Sequence, residues 1–109
     1  MTLVRLVVAL LLAGAAVTPL RAQQGTLSVS VQGQKFQPAE VRAKAGEAIT
    51  LKVTNNDAAP IEFQSATLRA AALVSPHTTA TVQVPALPRG RYAFFDLAHA
   101  GTQGVLILE

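Results

Sequence analysis

The chain has 109 residues, half of them apolar, and no cysteine, which excludes disulfides, a zinc–thiolate site, a lipid-anchored cysteine and a thiol nucleophile. The formal charge of +3 shrinks once the first 22 residues are set aside, because Arg5 and Arg21 lie among them and seven cations then face six acids. Those cations (Lys35, Arg42, Lys44, Lys52, Arg69, Arg89 and Arg91) are scattered and not interleaved with aromatic residues, which excludes nucleic acid as a partner.

Residues 1–22 are predicted to be a signal peptide. Arg5 gives a positive start, Leu6–Val17 is apolar and uncharged, and Pro19 breaks any helix. Leu20-Arg21-Ala22 then places a small residue ahead of a cut before Gln23. The uncharged run Leu6–Leu20 is 15 residues long, short of the roughly 20 that a bilayer-spanning helix needs. Export to the periplasm is expected, with no transmembrane span after cleavage; an uncleaved anchor is the alternative. Residues 23–109 then form one domain. A domain this small buries only about 60–65% of its unfolded surface, and without cysteine it must hold by apolar packing.

From Thr26 the period is two. Leu27, Val29 and Val31 alternate with polar residues, which predicts a half-buried strand ended by Gly33. Phe36–Val41 reads as a short edge segment marked by Pro38. Ala45-Gly46-Glu47 is a turn, and Ile49, Leu51 and Val53 alternate into a second full strand. Asn55-Asn56-Asp57 closes it with side chains that bond their own backbone. Ile61–Gln64 restarts strand after Pro60, and Ser65–Val74 reads as a crossing loop with one helical turn. Thr79–Val84, Arg91–Asp96 and Val105–Leu108 are the last three strands. Seven short strands separated by turn signals predict an all-β, antiparallel-rich β-sandwich.

Several segments in this order carry a resemblance: Phe36-Gln37-Pro38, Ala45-Gly46-Glu47, Asn55-Asn56-Asp57, Pro60–Ser65, Arg89–Asp96, His99 and Gly104–Leu108. Together they resemble the cupredoxin-like superfamily, and within it the EfeO-type periplasmic proteins linked to iron uptake. The resemblance spans nearly all of Thr26–Glu109. It implies a Greek-key sandwich whose metal ligands, when present, gather at one end. A blue-copper member would show histidine at Ile61, cysteine at Asp96, histidine at His99 and methionine at Thr102; only His99 is retained. The EfeO-type pattern favours a second glutamate at Gln64 and an aromatic residue at Ala98, and this chain departs from both.

Blue-copper electron transfer needs a thiolate and two imidazoles, so that chemistry is excluded. Strand parity puts Tyr92, Phe94 and Asp96 on the inward face, with Asp96 aimed at the emptied position near Ile61. A buried carboxyl needs a partner, and His99 is the candidate, with backbone N–H groups as competitors. Two readings stay open: an oxygen/nitrogen site for copper, zinc or ferric ion, and an Asp96–His99 hydrogen bond that holds the loop shut. The resemblance adds Glu62 as a third ligand, whereas alternation with Ile61 and Phe63 turns Glu62 outward. His77 reads as a solvated loop residue. Tyr92, two residues after Gly90, resembles the tyrosine corner of Greek-key sandwiches.

No nucleophile elbow, phosphate-cradling glycine loop or paired metal-binding histidines occur, so no enzymatic activity is expected. The resemblance implies an accessory metal-handling protein holding one weakly bound copper or iron ion through His99, Asp96 and Glu62. Its partner would be a membrane iron-uptake system or another periplasmic protein. The alternative is a metal-free interaction module that kept the sandwich and lost the site.

Overall fold

The structure is a computed structural model that describes residues 25–109; the expected signal peptide lies outside them. Nine strands follow in chain order: β1 (Thr26–Gln32), β2 (Lys35–Gln37), β3 (Glu40–Ala43), β4 (Ile49–Asn55), β5 (Ile61–Ser65), β6 (Ala70–Val74), β7 (Thr79–Val84), β8 (Gly90–Asp96) and β9 (His99–Leu108). One sheet has the order β2-β1-β4-β7 and the other β3-β9-β8-β5-β6. The all-β, two-sheet sandwich is therefore as the sequence predicts.

Two corrections raise the strand count from seven. Phe36–Val41 is not one edge segment: β2 pairs with β1, and after Pro38 the chain crosses to the other sheet, where β3 runs parallel to β9. Nor does Ser65–Val74 contain a helical turn. A four-residue turn, with the Arg69 N–H bonded to the Ala66 carbonyl, folds the chain back so that Ser65 pairs with Ala70 and Ile61 with Val74. Leu68, whose spacing from Ala71 and Ala72 suggests a helix, is fully buried beneath that turn. The last strand also begins earlier than Val105, at His99.

Inward-facing residues of both sheets meet in one core. Val29, Val31, Ile49, Leu51, Val53, Val82 and Val84 come from the first sheet; Ile61, Phe63, Val74, Phe94, Leu106 and Leu108 come from the second. Phe36, Phe63 and Phe94 form an aromatic centre, with the Phe36 and Phe94 rings edge to face at 4.9 Å between centroids and the Phe63 and Phe94 rings 5.2 Å apart. That packing explains Gly104: a Cβ there would lie 2.5 Å from Phe94 Cε1 and 3.1 Å from the Ala39 carbonyl oxygen. Tyr92 closes the β7–β8 connection as expected, its hydroxyl donating to the Pro88 carbonyl at 2.7 Å.

Register brings chain-distant ends together. β1 and β4 run parallel, so Gln32 and Asn55 finish at one end of the sandwich. β5 starts at that end, β8 stops there and β9 starts there, because β8 is antiparallel to both neighbours.

Candidate functional site

Asp96 is the last residue of β8, and its side chain is turned inward by the same alternation that buries Phe94. It is 2% exposed. Its Oδ1 accepts the N–H of Glu62 at 2.9 Å and the N–H of Ala98 at 3.1 Å. Its Oδ2 lies 3.0 Å from Nδ1 of His99, whose ring is about one-third exposed. Two residues, Leu97 and Ala98, join β8 to β9, so Asp96 and His99 face each other as a strand pair across a tight turn. A register shift follows between Phe95 and Asp96, and it absorbs extra residues of β9. Both carboxyl oxygens of Asp96 are thus engaged by N–H groups of the surrounding backbone and imidazole, as a buried carboxyl requires.

A second carboxyl holds the same end. Gly33 and Gln34 form the two-residue β1–β2 hairpin turn, both with φ of 61°, as a turn matched to strand twist requires. Their N–H groups point at Asp57, which accepts Gly33 at 2.8 Å and Gln34 at 2.9 Å. These two bonds, Gln34 first, hold the Asp57 carboxyl below its ordinary range, and the charges of His77 and His99 act in the same direction. Asp57 is placed by Asn55, which is fully buried and spends its side chain on three local bonds: Oδ1 accepts the Asp57 N–H, and Nδ2 donates to the carbonyls of Ala59 and Val74. On the other side of the turn, the hydroxyl of buried Thr102 donates to the Gln34 carbonyl at 2.7 Å.

The structure therefore brings Asp96 and His99 together beside buried Ile61, with Thr102 facing inward. Glu62 does not join them through its side chain, which is exposed on the outer face of β5; only its backbone N–H reaches Asp96. His77 sits exposed in the β6–β7 turn with φ of 58°. Asp57 is not merely a solvated or self-bonding turn residue, because its carboxyl ties β4 to a hairpin 24 residues away. Gln34 and Thr102 escape sequence reasoning: a carbonyl acceptor 68 residues from its donor leaves no local signal.

Little space remains between these groups. The cavity lined by Gln34, Asp57, Pro60, Ile61, Asp96 and His99 holds about 10 Å³, at the lower limit for one water. Among the described residues no group of three His, Cys, Asp or Glu side chains is placed to hold a metal ion. The residues present do not fit the blue-copper site that the resemblance implies: an isoleucine side chain, a carboxyl with both oxygens bonded and a hydroxyl bonded elsewhere stand at three of its four ligand positions.

The fold has several solved counterparts. Auracyanin from the photosynthetic bacterium Roseiflexus castenholzii, reduced with dithionite, superposes with a TM-score of 0.68 at 17% identity over 79% of this chain and 98% of that one. An amicyanin variant in its Cu(I) form gives 0.61 at 17% identity over 79% and 84%. A purple cupredoxin from Nitrosopumilus maritimus gives 0.58 at 14% identity over 76% and 99%. No curated protein matches the sequence. The family model of the cupredoxin-like domain matches residues 2–108, and this chain, whose described residues fold into two packed sheets, is a member of that family.

Proposed function

We propose that this chain is an exported, metal-free cupredoxin-like module that acts by binding other proteins and carries out neither electron transfer nor catalysis. The observation that carries the reading is the state of Asp96. Its two oxygens already accept three hydrogen bonds inside a cavity of about 10 Å³. A cation reaching Oδ2 in so small a space would have to displace the His99 ring, and one that took both oxygens would also strip two backbone N–H groups of their acceptor, each at a cost of about 1–3 kcal/mol. What remains after the loss of copper chemistry is a clasp that fixes the β1–β2, β4–β5 and β8–β9 connections to one another.

One observation favours the accessory copper- or iron-handling reading implied by the EfeO-type resemblance. The ring of His99 is partly exposed and bonds Asp96 through Nδ1 alone, which leaves Nε2 facing outward as a single imidazole ligand. One ligand makes a weak site. Calorimetric titration of the purified protein with Cu²⁺ and with ferric citrate, repeated on His99→Ala, separates the two readings. The metal-free reading predicts no stoichiometric binding tighter than about 10 μM. One-to-one binding that disappears in His99→Ala would establish metal handling, with Asp96 released to the ion.

A further inference from the structure

β6 ends its sheet, and among the described residues no strand pairs with its outer side; β7 lies in the other sheet and forms no ladder with it. Its sequence, Ala70-Ala71-Ala72-Leu73-Val74, carries no charge and no proline. Those are the devices that ordinarily keep an edge strand from pairing with another chain. Among the described residues two large apolar side chains stand exposed, Leu73 at 68% and Leu97 at 54%, and both flank Glu62. Leu73 is its cross-strand partner, and the Leu97 N–H donates to the Glu62 carbonyl at 2.8 Å.

The charges around this edge are arranged head to tail. Glu62 is exposed beside Leu73 at one end of β6, and Arg69 is exposed immediately before Ala70 at the other. Among the described residues neither belongs to an ion pair, which leaves both free for a partner, as are Lys35, Lys52 and Arg89 elsewhere. An edge with an acid at one end and a base at the other is complementary to itself under a two-fold axis. A parallel copy would instead set Glu62 beside Glu62.

We propose that β6 is a self-association edge that pairs antiparallel with β6 of a second copy about an axis at Ala72, so that the two five-stranded sheets become one continuous sheet. Ala70 then opposes Val74, and Ala71 opposes Leu73 of the other copy. Each exposed Leu73 packs over a small alanine, twice by symmetry. Arg69 of one copy and Glu62 of the other stand about 12 Å apart at Cα, from the strand spacing and rise, a gap that the two side chains span. Five residues a side is a small interface, so the dimer is weak, with a Kd on the order of 100 μM. This pairing goes beyond the metal-free reading and stands whether or not the closed end takes an ion.

Sedimentation equilibrium on the purified protein from about 10 μM to about 1 mM brackets that affinity and tests the pairing. The parent is expected to dimerise reversibly. Leu73→Lys, at a solvent-facing position that leaves the core intact, should raise Kd at least tenfold. Glu62→Arg and Arg69→Glu should each raise it severalfold, and the double reversal should return it close to the parent value. A parent that stays monomeric across the range overturns the proposal, as does a dimer indifferent to Leu73→Lys. A double reversal no tighter than either single variant overturns the antiparallel register. Capture of an added extended peptide by a protein that does not self-associate also overturns it, in favour of a different partner.

Discussion

Two carboxyls, Asp96 and Asp57, stitch one end of this molecule, and they do so in different surroundings. Asp96 is buried and answers to two backbone N–H groups and an imidazole. Asp57 is half-buried and answers to the two N–H groups of the Gly33-Gln34 turn. Since those bonds lower the Asp57 pKa from 3.8 in the folded state, its contribution to stability is complete above about pH 4 and is lost as the pH falls through the lower folded value. Asp57→Asn keeps one acceptor and loses the other. It is expected to melt roughly 3–8 °C below the parent at pH 7, with the gap closing as the pH falls through the lowered folded value. Thermal melts across that range test this; a gap independent of pH would mean that the carboxylate charge plays no part. Asp96 and His99 were legible as partners from parity and spacing alone. Asp57 was legible only as a turn residue, because its acceptor role depends on where a distant hairpin lands.

At the scale of elements, what the sequence reveals depends on how much β-branched and aromatic character a segment holds. β1, β4, β7 and β8 alternate Val, Ile, Leu, Tyr and Phe with polar residues, and each forms close to its expected bounds. β6 is three alanines, a leucine and a valine, a composition that favours helix over strand, so Leu68, Ala71 and Ala72 mimic a helical stripe. Tertiary context decides: the hydroxyl of buried Ser65 donates to the Ala93 carbonyl at 2.7 Å and accepts the Leu68 N–H at 3.2 Å, which turns the chain before a helix can start. Leu68 then plugs the end of the core under the hairpin turn. Leu68→Ala is expected to cost about 2–4 kcal/mol in guanidinium unfolding, with an unchanged denaturant slope. A cost under about 1 kcal/mol would show that the site collapses around the missing side chain. Phe36–Val41 looks like one segment in the sequence because Pro38 marks a break in pairing without saying which sheet each half joins.

For the whole molecule, the sandwich was legible because a period of two repeated between turn signals leaves few alternatives, and the ordered motifs pointed to the cupredoxin-like family. The state of the Asp96–His99 end was half legible. Sequence supplies the residues at the ligand positions; only the fold shows Thr102 spent on Gln34, Glu62 turned to solvent and the space reduced to about 10 Å³. On the proposed metal-free reading Asp96 serves the protein by closing that end, with three hydrogen bonds already on its two oxygens and little space left beside them. Guanidinium unfolding of the parent and of Asp96→Ala, both in chelator, measures this directly. Removing the carboxyl leaves two backbone N–H groups and an imidazole without their acceptor, so the variant should lose about 2–4 kcal/mol in the absence of metal. A variant within about 0.5 kcal/mol of the parent would contradict the clasp and return Asp96 to the role of a waiting ligand.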